Sequence, residues 1–210
     1  MNTNDKIRIL ETQILSRGIF DKFLINAFLS VDLDDFIPHK YKRNCYIDKD
    51  LKFEENCFIL RTHYLARIIN NILKHTTNFN KTDILVIDDF TGYTSSILSN
   101  IFDNVYISTP DKSVIENIHK NDSNLRIIQD VREIHKQFDM ILCVSRIYNF
   151  EDESIKYYDD ILKNDGSIFF IMENNEYINL DISPRIIRTN FTRRHNKTNI
   201  FEFSLDITNY

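Results

Sequence analysis

Glycine, proline and tryptophan are scarce in this chain. It holds three glycines, three prolines and no tryptophan in 210 residues, whereas glycine alone averages about 7% of a protein. A chain so poor in glycine keeps it where a side chain is hard to fit, which directs attention to Gly18, Gly92 and Gly166. No repeat and no low-complexity linker divides the chain, and its length suits one globular unit with a sizeable core. Cysteine is also sparse. Cys45, Cys57 and Cys143 are odd in number and lack CxxC spacing, which argues against a disulfide framework and a zinc site and points to a reducing cytosol. Positive charge is not in excess. The net charge of −5 argues against general nucleic-acid binding, which needs basic surface to displace counterions. The one basic run, at 185–197, contains Arg188, Arg193, Arg194 and His195 and reads as a solvated edge. Long apolar runs are missing too: none nears the roughly 18 residues of a membrane span, and MNTNDKIRILETQ lacks the apolar core of a signal peptide. There is no P-loop, G-x-S-x-G elbow or H-E-x-x-H, and no Cys/His/Asp set has metal-ligand spacing. These absences lead to the expectation of a soluble, cytoplasmic protein without a metal or a membrane partner.

What the chain does have is an alternation of two periodicities. Ile7, Leu10, Ile14 and Leu15 recur at helical spacing, predicting an amphipathic helix that ends near Arg17-Gly18. Residues 20–31 predict a second helix with Phe23, Leu24, Ala27, Phe28 and Val31 on one face. Residues 45–60 read as irregular or weakly extended, and 61–74 as a helix burying Leu65, Ile68, Ile69 and Ile72. Strands at 84–87, 105–108, 125–128, 140–144 and 167–172 then alternate with helices at 95–102, 113–119 and 155–162. Segments 185–192 and 199–205 read as a terminal hairpin turning at Asn196-Lys197. Cys143 falls on a core strand as a small apolar residue. Such alternation implies an α/β fold: a mostly parallel sheet of seven strands, with helices on both faces. The expected organisation is a helical and loop region, 1–80, packed on a core at 81–210.

The segment DILVIDDFTGYTSSIL, 83–98, carries the most chemistry. A strand running into a tight turn and then a helix places a nucleotide-type ligand over a helix N-terminus. Arg17-Gly18-Ile19 with the following FDKFLINAFLSVDLDDFIP, TGY at 91–93, FDMILCVS at 138–145 and LKNDGSIFFI at 162–171 together resemble the protein-L-isoaspartate O-methyltransferase family, in order and spacing, over nearly the whole length. All three glycines fall on family glycine positions. YIDKDLKFEENCFILRTHYLARIINNIL, 46–73, resembles a variant group of that family from alphaproteobacteria. The resemblance implies a Rossmann-like class I methyltransferase fold, S-adenosylmethionine as cofactor and a protein or peptide as substrate or partner.

Several residues depart from the family pattern. The position whose hydroxyl lies near the substrate carboxylate falls on Leu60, which cannot donate a hydrogen bond; the resemblance therefore assigns no catalytic residue. Thr62 would substitute only in a shifted register, and otherwise simply starts the helix. The first two turn glycines fall on Asp88 and Phe90, so only Gly92 remains. Asp88, Asp89, Thr91, Gly92, Thr109 and Asp130 occupy the cofactor-binding positions that the resemblance implies. Thr109 stands where an acid would hold the ribose hydroxyls, with Asp111 either reaching the ribose or capping the next helix. Asp88 and Asp89 either attract a cationic ligand or accept N–H groups at the start of the following helix. Phe90 either crowds the ligand or fills an emptied pocket. Asp130 either contacts the adenine or is a solvated loop acid. With Leu60, Asp88, Phe90 and Thr109 all departing from the pattern, the favoured reading is a degenerate methyltransferase kept as a binding or regulatory protein. The alternative is an active S-adenosylmethionine-dependent protein-L-isoaspartate O-methyltransferase in protein repair. A third reading is a methyltransferase for another substrate.

Overall fold

A computed structural model describes residues 3–44, 46–53, 58–109, 114–116, 118, 125–130, 132, 134–147, 158, 160–173, 186–192 and 197–205. The chain opens with α1 (Thr3–Ile9), which widens into a π turn at Leu10–Ile14 and tightens into a 3-10 turn at Leu15–Arg17 before Gly18 ends it. Next comes α2 (Lys22–Ser30), where the Asp21 carboxylate accepts the Leu24 N–H at 3.0 Å. Leu24, Ala27, Phe28 and Val31 are buried as their spacing predicts. Phe23 is not; it lies on the exposed side of α2. The segment read as irregular or weakly extended contains a short antiparallel pair, β1 (Leu51–Lys52) and β2 (Phe58–Ile59). The helix α3 (Thr62–Lys74) follows, burying Leu65, Ile68, Ile69 and Ile72.

The sheet is built from β3 (Asp83–Ile87), β4 (Asn104–Ser108), β5 (Arg126–Ile128), β6 (Phe138–Ile147), β7 (Leu162–Glu173), β8 (Ile186–Thr192) and β9 (Lys197–Leu205). Their spatial order is β5-β4-β3-β6-β7-β9-β8, parallel except for β8, which pairs antiparallel with β9. The terminal hairpin is thus present, but β9 inserts between its partner and β7. Between β3 and β4 runs α4 (Tyr93–Ser99), which begins earlier and ends earlier than the predicted 95–102. Strand β7 begins at Leu162, a residue assigned from sequence to the preceding helix, and carries a bulge: Leu162 pairs with Phe138 but Ser167 pairs with Met140. Gly166 lies in that bulge, where a Cβ would come within 2.6 Å of Leu162 Cγ. The predicted helix at 113–119 is seen only at 114–116 and 118, and that at 155–162 only at 158 and 160; Ile161 is a turn and Leu162 already strand, and the other residues of the two segments lie outside the described residues.

Alternation along β3 divides two cores, because successive strand side chains point to opposite faces. Ile84 and Val86 face a core shared with α2, α3 and α4, whereas Leu85 and Ile87 face one shared with Phe138, Ile141, Cys143 and Ile168. Tyr158 packs on the second core.

Candidate functional site at the carboxyl edge of the sheet

Strand order reverses beside β3, since the chain proceeds from β3 to β5 on one side and returns with β6 on the other. Ligands of open α/β sheets bind at such a switch point, beyond the carboxyl ends of the strands. The turn that leaves β3 there is Asp88 to Gly92. Asp88 adopts φ 58°, the left-handed conformation that glycine enters freely and aspartate enters at a cost of about 1–2 kcal/mol. The aspartate therefore keeps the backbone path of a glycine. Gly92 has φ 80° and caps α4; a Cβ there would lie 2.8 Å from Ile118 Cγ1.

Asp89 is enclosed, at 2% exposure. One carboxylate oxygen accepts the Gly92 N–H at 3.0 Å, the Thr91 hydroxyl at 3.2 Å and the Thr91 N–H at 3.4 Å. The other accepts the Ser95 N–H and the Ser95 hydroxyl, both at 2.8 Å. Burial raises its pKa above the ordinary value, and the bonds from Ser95, Gly92 and Thr91 pull it back only part of the way. The positive end of α4 thus meets an anion from its own chain. Thr91 Oγ also accepts the Tyr93 N–H at 3.2 Å, so the polar atoms of this turn bond to one another. Phe90 is half-buried beside them.

The remaining predicted residues lie along the same edge. Thr109 follows β4, is buried and donates its N–H to the Ile128 carbonyl at 3.0 Å. Asp130 follows β5, and Arg132 holds its carboxylate through the backbone N–H at 2.9 Å and the guanidinium at 2.7 Å. That partner holds the Asp130 carboxyl below its ordinary range. Asp111 lies outside the described residues. Cys143 is buried on β6; burial, with the charge of Asp88 adding to it, pushes its thiol well above the ordinary range. It is an inert core residue at neutral pH.

From the N-terminal region, Thr62 comes next to this edge. Leu60 is buried. Thr62 is the first residue of α3, directly after the N-cap Arg61. Thr62 and Tyr93 line one small cavity together with Lys6, Leu10, Val31 and Leu33, which brings the start of α3 next to the start of α4.

Sequence reasoning missed the fixture that holds α3 there. Asp50 accepts the Arg61 N–H at 2.9 Å and its guanidinium at 3.1 Å, and Asp48 accepts the His63 N–H at 3.4 Å and meets its Nδ1 at 2.5 Å. Burial opposes the Arg61 charge, but Asp50 outweighs it and leaves the guanidinium pKa above its ordinary value. The detectable signal was a helix start at Leu60-Arg61-Thr62 with no Ser, Thr, Asp or Asn at the cap. The cap must then accept from elsewhere, and YIDKD supplies two carboxylates upstream. Tyr46 secures that strap in turn, its hydroxyl donating to Asp34 at 2.7 Å and its carbonyl accepting from Gln13 at 3.0 Å. Among the described residues, no His, Cys, Asp and Glu group could hold a metal. Nor is any helix among them long and apolar enough to cross a membrane.

Known proteins align with this architecture. A sequence model of the family "Protein-L-isoaspartate(D-aspartate) O-methyltransferase" matches residues 4–135, well over half of the chain. A protein-L-isoaspartate O-methyltransferase of Geobacter metallireducens is 31% identical over 99 residues, and protein-L-isoaspartate O-methyltransferase 2 of Geotalea uraniireducens is 30% identical over 99 residues. Each alignment covers 47% of this chain and 44% of the relative, so the chain spans less than half the length of the curated relatives it matches. Among solved structures, a Plasmodium falciparum protein-L-isoaspartate O-methyltransferase in complex with S-adenosyl-L-homocysteine superposes with a TM-score of 0.69 at 17% identity. That match covers 98% of this chain and 97% of the other. A second protein-L-isoaspartate O-methyltransferase superposes with a TM-score of 0.60 at 16% identity, over 80% of this chain and 55% of the other. These likenesses show the seven-stranded, mostly parallel methyltransferase fold.

Proposed function

The chain belongs to the protein-L-isoaspartate(D-aspartate) O-methyltransferase family, and from that premise we propose that it is a degenerate methyltransferase, kept to bind a protein or peptide partner in the cytoplasm. The observation that carries this reading is the Asp89 carboxylate, buried against the first turn of α4 and accepting the Gly92 and Ser95 N–H groups. Those donors, which a cofactor's anionic end would otherwise engage, are satisfied inside the protein.

The residues at the carboxyl edge do not fit S-adenosylmethionine well. A second carboxylate, Asp88, follows β3, and the ring of Phe90 stands where the family has glycine. Thr109 offers no charge to the ribose hydroxyls, which removes about 1.5–3 kcal/mol for each bond to a carboxylate. Asp130, the other acid on this edge, is held by Arg132. Leu60, at the position of the family hydroxyl, leaves the substrate carboxylate without a donor to orient it.

One observation favours the alternative, an active S-adenosylmethionine-dependent protein-L-isoaspartate O-methyltransferase in protein repair. Asp88 keeps the left-handed backbone of a glycine, so the path of the cofactor turn is retained, and Thr62 would then be the hydroxyl nearest the substrate. Calorimetric titration with S-adenosylhomocysteine, paired with methyl transfer to an isoaspartyl peptide, separates the two. The degenerate reading expects no heat in the micromolar range and no methyl ester. Micromolar binding with turnover would establish the enzyme.

A further inference from the structure

At the end of the sheet opposite the Asp88–Gly92 turn, two aromatic rings stand out of the surface. Phe20 is 68% exposed and Phe23 54% exposed, on either side of the Asp21 cap of α2. An apolar residue just before a helix cap ordinarily packs against the fourth helical residue, but Phe20 remains in solvent. Phe23 is fixed rather than loose. Its ring meets Phe79 edge-on with centroids 5.1 Å apart, and Phe79 meets the buried ring of Phe102 at 5.4 Å. The segment holding Phe79 leads into the amino end of β3, and Asn104, at the start of β4, donates to the Asn80 carbonyl at 3.1 Å. The rings therefore sit at the amino edge of the sheet, whereas the cofactor turn leaves its carboxyl edge.

Exposed charge close in sequence to these rings is mainly positive: Asp103, next to Phe102, is an exposed acid, whereas Asp83, which follows Phe79, is engaged by Lys136 and Lys163. Arg17, Lys22, Lys74 and Lys81 are exposed, each within five residues of Phe20, Phe23 or Phe79. None of them forms an ion pair among the described residues. Residues 12–31 contain a single acid, Asp21, which is engaged on the first turn of α2, and 56–82 contain none. A chain of net charge −5 thus places exposed cations, without an ion pair among the described residues, close in sequence to exposed aromatic rings.

We propose that the Phe20–Phe23–Phe79 face is a docking surface for an acidic protein segment carrying apolar side chains. The cations complement its carboxylates. Phe23, already held edge-on to a ring anchored in the core, binds with little further loss of freedom, and aromatic anchors within a charged rim are the pattern of protein hot spots. The surface is separate from the carboxyl-edge site and does not depend on whether that site holds a cofactor.

Selection of a phage-displayed random peptide library on the full-length protein tests this, with the Phe20→Ser/Phe23→Ser variant as counter-selection. Enriched peptides should interleave Asp or Glu with Leu or Phe. In fluorescence anisotropy they should lose at least tenfold in affinity on Phe20→Ser/Phe23→Ser and on Lys22→Glu/Lys81→Glu, and weaken as salt rises. Should the phenylalanine pair fail to fold, the lysine pair decides. Enrichment of basic peptides, or equal binding to wild type and variants, would overturn the proposal. So would phenylalanine-dependent sedimentation with phosphatidylglycerol vesicles, which would make the occupant a lipid surface.

Discussion

Asp88 and Asp89 are neighbours in sequence with opposite roles. Asp88 takes a strained backbone and a half-buried position, whereas Asp89 turns inward and closes the start of α4. Removing the Asp89 carboxylate leaves buried donors on Gly92, Ser95 and Thr91 without their acceptor, so Asp89→Ala is expected to lower stability by about 2–4 kcal/mol in urea unfolding. Asp88→Gly/Phe90→Gly tests the other half of the turn. It relieves the left-handed aspartate and clears the ring, and it should give a thermal shift with millimolar S-adenosylhomocysteine that the wild type lacks. No gain would count against Asp88 and Phe90 as the groups that keep this ligand out.

At the scale of elements, ion pairs tie segments that lie far apart in the chain. The strap at 46–52 is joined to α3 by Asp48 and Asp50. Asp50→Ala strands the Arg61 guanidinium and N–H, and should cost about 1–3 kcal/mol while speeding amide exchange at Leu51 and Ile59. A second network ties the amino ends of β3, β6 and β7. Asp83 accepts from Lys136 at 2.7 Å and Lys163 at 3.2 Å, and Lys163 also reaches Asp139 at 2.8 Å. Burial raises the Asp83 pKa, but the two lysines outweigh it and hold the carboxyl below its ordinary 3.8. A carboxylate with a depressed folded-state pKa contributes stability that is present above the unfolded value and lost as pH falls through the folded one. Lys136→Met/Lys163→Met should therefore be less stable than wild type at neutral pH, by about 1 kcal/mol or less because both lysines are partly solvated. The two proteins should converge as acid titration passes below pH 3.8.

For the whole molecule, one sheet separates two surfaces with different prospects. Its carboxyl edge carries the Asp88–Gly92 turn, where Asp89 accepts from its own chain, and its amino edge carries exposed rings close in sequence to cations that form no ion pair among the described residues. Methyl-transfer assays address the first and peptide binding the second, so the failure of either leaves the other standing.

Much of this architecture is legible in the linear pattern. A strand such as Ile84–Ile87 is apolar on both faces, and β3, β4, β5 and both strands of the terminal hairpin lie close to the positions their periodicity predicts. The candidate edge was legible for the same reason, because a strand, a turn with Gly92 and a helix place Asp88 and Asp89 at a helix start. Other features escaped. Nothing local marks Phe23 as exposed, since a helical stripe shows which residues share a face but not where the core stops. Leu162 reads as helix because the bulge that admits it to β7 depends on pairing with Phe138 on another strand. Local propensity and periodicity thus determined the elements, for both act between near neighbours, while the order of the matched motifs carried the resemblance to the family. Only tertiary structure decided that Asp89 faces inward, that Asp48 and Asp50 cap a helix more than ten residues away, and that β9 lies between β7 and β8. Each of those depends on which distant backbone donors need a partner once the chain has closed on itself.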